Sequence, residues 1–166
     1  MAVQYDRELE ELGVRFGLSD KIIDPDDLPW VPFNKEHTCF YKPLRCNLSG
    51  GEWVYLFRMK GGGVLDRHRH TGGPVFGMTL QGRWKYSERD WISASGMFIY
   101  EPPGDVHTFC AISEEDVIAL FVVHGCLQYL DSAGQVVGQD DVFTIYKRYE
   151  SYCDANGLEV RIDLIY

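Results

Sequence analysis

From about residue 40 the chain breaks into short apolar runs fenced by turn-forming residues. EWVYLFRMK, PVFGMTLQG, RWKYSERDW, GMFIYEPP, DVIALFVVHG and CLQYLDSAGQVV are rich in Val, Ile, Tyr, Phe and Trp, and each is bounded by Gly, Pro, Asp or Ser. Side chains of this kind suit a pleated, half-buried surface, and the runs have the length of strands. At such spacing they argue for an antiparallel sandwich or barrel. The expected fold class is all-β, with DSAG at 131–134 as a hairpin turn.

Two segments depart from that pattern. DVFTIYKRYESYCDANG, 141–157, carries Val142, Ile145, Tyr146, Tyr149 and Tyr152 on one face, with Asp141 placed as an N-cap and Gly157 as a stop, and so predicts a C-terminal helix. QYDRELEELGVRF, 4–16, sets Leu9, Leu12, Val14 and Phe16 among charges and predicts a short amphipathic helix that packs on the domain or on a second subunit. IIDPDDLPWVPF between them holds three prolines in eight residues and should be extended and irregular. With 166 residues and 45% apolar content the chain suits one core. We read 1–28 as an N-terminal arm and 29–166 as a single domain that includes the C-terminal helix.

A net charge of −9 repels polyphosphates, so a nucleic-acid partner is not expected. No apolar run approaches a membrane span, and MAVQYDRELEELGV lacks the layout of a signal peptide, so the expected location is the cytoplasm, away from membranes. Five widely spaced cysteines with no CxxC read as reduced thiols.

The chemistry gathers around GGGVLDRHRHTGG, 61–73. If 64–70 is a strand, His68 and His70 share a face and both imidazoles reach one ion; the alternative is two polar side chains among Asp66, Arg67 and Arg69. Arg67 and Arg69 alternate with them and should face away. GMFIYEPPGDVH adds His107 behind its own glycines and prolines. Two hairpins delivering histidines to one end of a small barrel make a three-imidazole site with open positions, which suits a first-row divalent metal.

These residues resemble the cupin superfamily, small jelly-roll barrels whose first motif runs G-x5-H-x-H, then three or four residues, E, six residues and G, and whose second runs G-x5-P-x-G-x2-H-x3-N. The chain matches the first at Gly62, His68, His70 and Gly82, and the second at Gly96, Pro102, Gly104 and His107. It departs twice. Val75, or Pro74 with the shorter gap, stands where the ligand glutamate belongs, and Ala111 replaces the closing asparagine. Three neutral histidines leave a divalent ion its full charge, a stronger Lewis acid toward an anionic chelate than a site with a carboxylate ligand. Within the superfamily, PWVPF, RHRH, GRWKYSERDW, YEPPGDVHTF and DVFT are similar to the 2,4'-dihydroxyacetophenone dioxygenase group, and more distantly to acetylacetone dioxygenase. That resemblance implies iron(II) held by His68, His70 and His107, with zinc, nickel or manganese as other ions the site accepts, and dioxygen as co-substrate. It also places Glu101 where those enzymes keep a glutamate near the metal. Glu101 then either orients a histidine or takes an enol proton, or it simply faces solvent at a strand end.

With Val75 in the vacant place, Gly77 and Thr79 follow on the same face as a small, mostly apolar cavity wall, and Phe76, Met78 and Leu80 pack on the other side. Arg83, Trp84 and Tyr86 either line the mouth or belong to the core. His37 and His124 lack partners at metal-ligand spacing, and Cys110, three after His107, reads as a buried thiol. The expected function is an iron(II) dioxygenase that cleaves a carbon–carbon bond beside the carbonyl of an enolisable ketone, a hydroxyacetophenone or a β-diketone. The rival readings are a ligand-sensing or structural zinc cupin, and a non-oxidative isomerase or lyase. The resemblance also implies a homodimer or homotetramer.

Overall fold

The computed structural model describes Glu11, Gly17 and residues 20–166; the helix expected over 4–16 lies, Glu11 apart, outside the described residues. Among the described residues twelve strands follow: β1 (Val31–Pro32), β2 (Cys39–Asn47), β3 (Glu52–Met59), β4 (Val64–Thr71), β5 (Val75–Gln81), β6 (Arg83–Tyr86), β7 (Ser93–Ala94), β8 (Phe98–Glu101), β9 (Val106–Ala111), β10 (Val117–His124), β11 (Cys126–Leu130) and β12 (Val136–Asp140), and after them the helix α1 (Val142–Asn156). The strands form two antiparallel sheets, ordered β1-β2-β3-β10-β5-β8 and β12-β11-β4-β9-β6-β7. The chain crosses between sheets as a cupin jelly roll does. Its edge strands β7 and β8 are not paired with each other, so the expected barrel is a sandwich with an open seam.

Period-two alternation builds the core. β3 turns Trp53, Tyr55, Phe57 and Met59 inward, and β10 turns Val117, Ala119, Phe121 and Val123 inward. Facing them from the other sheet, Trp84 stacks on Phe109 with ring centroids 4.2 Å apart, and Phe109 meets Phe57 edge-on at 5.4 Å. β2 is a strand that the apolar-run reading passes over, because Lys42, Pro43 and Arg45 interrupt it. Proline removes a ladder donor, and the strand accommodates it with a register shift between Pro43 and Arg45.

The helix follows the sequence reading closely. Asp141 accepts a hydrogen bond from the Thr144 backbone while Thr144 Oγ1 accepts one from the Asp141 backbone, and Gly157 ends α1 in the left-handed region at φ 66°. Val142, Ile145, Tyr149 and Cys153 are its buried face. Tyr41 of β2 donates to the Ile145 carbonyl at 2.7 Å and ties the helix to the first sheet. The DSAG turn also forms, with Asp131 Oδ1 accepting from the backbones of Ala133 and Gln135.

One packing expectation fails. Met78 and Leu80 point away from the interior, as the alternation of β5 requires, yet both stay exposed on the outer face of the sheet. Ile23 and Leu28, on the chain leading into β1, pack against the core, and Lys42 Nζ donates to the Pro25 carbonyl at 2.6 Å. Among the described residues no helix is long and apolar enough to cross a membrane.

Alternation on β6 yields a test. Trp84→Ala removes a fully buried ring and should cost about 3–5 kcal/mol in urea unfolding, whereas its exposed neighbour Arg83→Ala should stay within about 0.5 kcal/mol. Comparable losses at both positions contradict this strand phase.

Candidate metal centre

A bulge sets the phase of β4. Leu65 pairs with Phe109 and His68 with His107, so three steps on β4 match two on β9 and one residue is extra. Strict alternation would turn Leu65 away from the face of His68 and His70; the bulge brings all three inward, at 6%, 3% and 4% exposure. Arg67 remains exposed, and Arg69 turns outward to donate to Gln128 at 3.0 Å. The bulge also frees the Asp66 carbonyl, which accepts a hydrogen bond from His68 Nδ1 at 2.7 Å. Because a carbonyl only accepts, that bond fixes the proton on Nδ1 and leaves Nε2 to the interior.

His107 comes from the neighbouring strand, directly opposite His68, and is fully buried. The Tyr86 ring lies flat on its imidazole at 3.8 Å and 8°. Its Nδ1 lies 3.5 Å from Asp105 Oδ2, and Arg89 Nη2 donates to both oxygens of Asp105 at 2.7 and 2.9 Å. Arg89 thus holds Asp105, and Asp105 orients His107. A carboxylate behind a ligating histidine fixes its ring and raises its basicity. Sequence reasoning missed both residues. Asp105 was legible as D-x-H, two positions before the histidine, but nothing local marks Arg89 as its partner.

One ring nitrogen from each of His68, His70 and His107 lies within 4.8 Å of the other two. Glu101 stands beside this cluster. It is 3% exposed, accepts a short hydrogen bond from the Tyr86 hydroxyl at Oε1, and points Oε2 at His70 Nε2 (3.4 Å) and His107 Nε2 (3.6 Å). Glu101 Oε2 and His107 Nε2 are both buried without a hydrogen-bond partner. Buried polar atoms are nearly always satisfied, and His70 Nδ1 is a further orphan, so unpartnered imidazole nitrogens within a cluster of three histidines fit a cation held by the histidines, with Glu101 Oε2 left free beside it. The donor set, three imidazoles with a carboxylate at hand, suits a first-row divalent metal.

Burial also sets the charge state. It lowers the His68 pKa to about 3, helped by His107 nearby, holds His70 well below its ordinary value, and lowers His107. All three are neutral at pH 7, as metal ligation requires. Burial raises the Glu101 carboxyl to about 7.

The other sequence candidates separate. Val75 lies opposite Glu101 across β5 and β8 and lines the small cavity at the histidines, as does Tyr86. Gly77 sits against Phe121 and Ile99, close enough that a Cβ there would meet them at 2.5 and 2.9 Å. Thr79 Oγ1 bonds Ser93 Oγ at 2.7 Å and accepts from Trp84 Nε1 at 2.8 Å, so Thr79 and Trp84 form a buried polar contact within the core. Arg83 is exposed. His37 is exposed with φ 53° in the turn before β2, and His124 lies 2.9 Å from Glu52, apart from the cluster. Cys110 is a half-buried free thiol, and all five cysteines are free. The cavity at the histidines has a volume of about 20 Å³, room for about one water.

Two measurements test the centre. Asp105→Asn should weaken metal binding by roughly 10- to 100-fold in a chelator competition titration while leaving the fold intact. Metal-free protein should lose stability on acidification. His68 takes its proton near 6.5 when unfolded but only near 3 when folded, so between those values the unfolded chain holds more protons and stability falls with pH, by at most ~1.4 kcal/mol per unit for this residue. His70 and His107 act in the same sense. Glu101, raised from 4.5 to about 7, opposes them between those two values as one group against three. Urea midpoints should therefore drop from pH 7 to pH 5, and less steeply in His68→Gln; a flat profile contradicts the neutral, buried histidines.

Comparison with known proteins places the geometry in a family. Residues 18–128 match the family model described as the ChrR cupin-like domain. The solved structure of an RmlC-like cupin protein from Ralstonia eutropha JMP134 is 32% identical, covers 90% of this chain and 96% of its own, and superimposes with a TM-score of 0.83. A protein of unknown function with a cupin-like fold from the same organism is 23% identical, covering 87% and 92%, at a TM-score of 0.78. An acetylacetone dioxygenase from Acinetobacter johnsonii shares the fold at 15% identity, covering 81% and 93%, with a TM-score of 0.71. No curated protein matches the chain. With the family model spanning most of the sandwich and both histidine-bearing strands, the chain belongs to the ChrR cupin-like family.

Proposed function

We propose that His68, His70 and His107 hold iron(II), and that the protein is a dioxygenase cleaving a carbon–carbon bond next to the carbonyl of an enolisable ketone of hydroxyacetophenone or β-diketone type. The observation that carries this reading is a set of three neutral imidazoles with Val75, not a carboxylate, in the motif's fourth place. Bound there, iron(II) would supply a doubly charged Lewis acid that acidifies the ketone and a redox-active ion for chemistry with dioxygen.

The chain's own residues do the rest. The Asp66 carbonyl and Asp105 fix the proton-bearing nitrogens of His68 and His107, so the imidazoles present lone pairs inward. Glu101 is the catalytic residue of the proposal: its free Oε2 accepts the proton lost when the ketone enolises. That Oε2 lies 3.4 and 3.6 Å from the His70 and His107 Nε2 atoms, within reach of a ligand held at the histidines. Tyr86 holds Oε1, so only Oε2 is available. Tyr55, Phe57, Phe109 and Phe121 keep the surroundings dry and prolong the life of an enolate. The shared fold with an acetylacetone dioxygenase supports the reading without carrying the activity.

A second reading has its own observation. A cavity of about 20 Å³ suits a closed zinc site in a sensing or structural cupin. Anaerobic reconstitution with iron(II), followed by oxygen uptake and product analysis over a panel of β-diketones and hydroxyacetophenones, separates the two. We expect one dioxygen consumed per bond cleaved, and Glu101→Gln should lower kcat by about 100-fold or more with iron content unchanged. No uptake with any ketone, together with equal affinity for zinc, contradicts the dioxygenase reading; product formed without oxygen assigns an isomerase or lyase.

A further inference from the structure

The space at the histidines is far smaller than an organic ligand needs, since pockets for small molecules run to several hundred Å³. Two larger clefts share lining residues with it. One, of about 890 Å³, meets it only at Leu65, an apolar side chain 6% exposed. The other is a groove of about 520 Å³ along the open seam between β6–β7 and β8, and it shares both Tyr86 and Glu101 with the histidine cavity. These two residues come from opposite sheets and are hydrogen-bonded to each other across the seam. They form the wall between groove and histidines, and the carboxylate whose Oε1 faces Tyr86 turns Oε2 toward two of the imidazoles.

The groove has a definite chemistry. Trp91, Met97, Phe98 and Tyr100 line it and are 39%, 51%, 62% and 55% exposed, an unusual concentration of bare apolar surface. Its one cation, Arg89, is already committed to Asp105 by two hydrogen bonds, and Ser93 Oγ is engaged by Thr79. No free positive charge remains to attract an anion, while the aromatic faces suit a flat ring.

Resting on the reading of the histidines as a reactive metal centre, we propose that this groove is the docking site for a neutral, ring-bearing ketone, and that the Tyr86–Glu101 hydrogen bond is the door through which it reaches the histidines. Opening requires the hydroxyl to leave Oε1, and the ligand then passes the carboxylate whose Oε2 already faces His70 and His107.

Acetophenone, which cannot chelate through two oxygens, is the probe, titrated into metal-free protein. Two readouts follow it: quenching of tryptophan fluorescence, and carbethoxylation of the histidines by diethyl pyrocarbonate, resolved by peptide mass spectrometry. Phe98→Glu, on a side chain mostly in solvent, should weaken acetophenone at least tenfold with an unchanged urea midpoint. Val64→Trp, filling the other cleft, should leave the affinity alone. Tyr86→Phe should speed modification of His68, His70 and His107 several-fold, and saturating acetophenone should slow it in the unaltered protein. Equal affinity in Phe98→Glu, loss of binding in Val64→Trp, or an unchanged modification rate in Tyr86→Phe overturns the proposal. So does a dimer that Phe98→Glu splits with binding unaffected, which assigns the face to a second copy of this chain. Neither iron nor oxygen enters these measurements. Oxygen uptake with ketone binding indifferent to Phe98 overturns the groove and keeps the dioxygenase; the expected binding without uptake keeps the groove and overturns the oxidation.

Discussion

One extra residue in β4, between Leu65 and His68, decides where the side chains of the site point. Because side chains alternate along a strand, moving the phase by one residue exchanges inside for outside. The bulge lets Leu65 close the core beneath the site while His68 and His70 enter the same interior from the same strand. It also releases the Asp66 carbonyl to hold the His68 proton. Pairing of β4 with β9 then brings His107 directly opposite His68, where Asp105 and Arg89 orient it. Without that one local irregularity the same residues would leave Leu65 in solvent or the histidines outside.

The departure at Val75 reads differently once the register is known. Val75 and Glu101 are cross-strand partners, so a carboxylate lies one strand away from the place the cupin motif gives to its glutamate. That shift has an electrostatic consequence. A glutamate at position 75 would give half of the ion's charge a permanent counter-charge, whereas Glu101 is anchored to Tyr86 through one oxygen and leaves the other to receive a proton. Burial works in the same direction, since it favours the neutral carboxyl and the neutral imidazoles alike.

Much of this is legible in the sequence itself. The apolar runs marked most strands, Asp141 and Gly157 marked the ends of α1, and the two glycine-fenced histidine segments marked the centre. What escaped depends on distance in sequence. No local pattern marks the bulge at Asp66 and Arg67, or tells β2 from a loop once Pro43 interrupts it. Gly77, Thr79 and Trp84 have the right alternation for a cavity wall, yet Phe121, Ile99 and Ser93 from other strands fill the space they face. Arg89 finds Asp105 from sixteen residues away, across a turn whose shape the sequence does not specify.

The central claim is that three neutral imidazoles, and no carboxylate, bind the ion. The most direct measurement is a crystal structure of the iron-loaded protein with anomalous data collected on both sides of the iron edge. The account predicts one iron bound by His68, His70 and His107, with Glu101 still hydrogen-bonded to Tyr86 and outside the coordination shell. An ion with Glu101 as a fourth protein ligand, or an ion bound elsewhere, contradicts it.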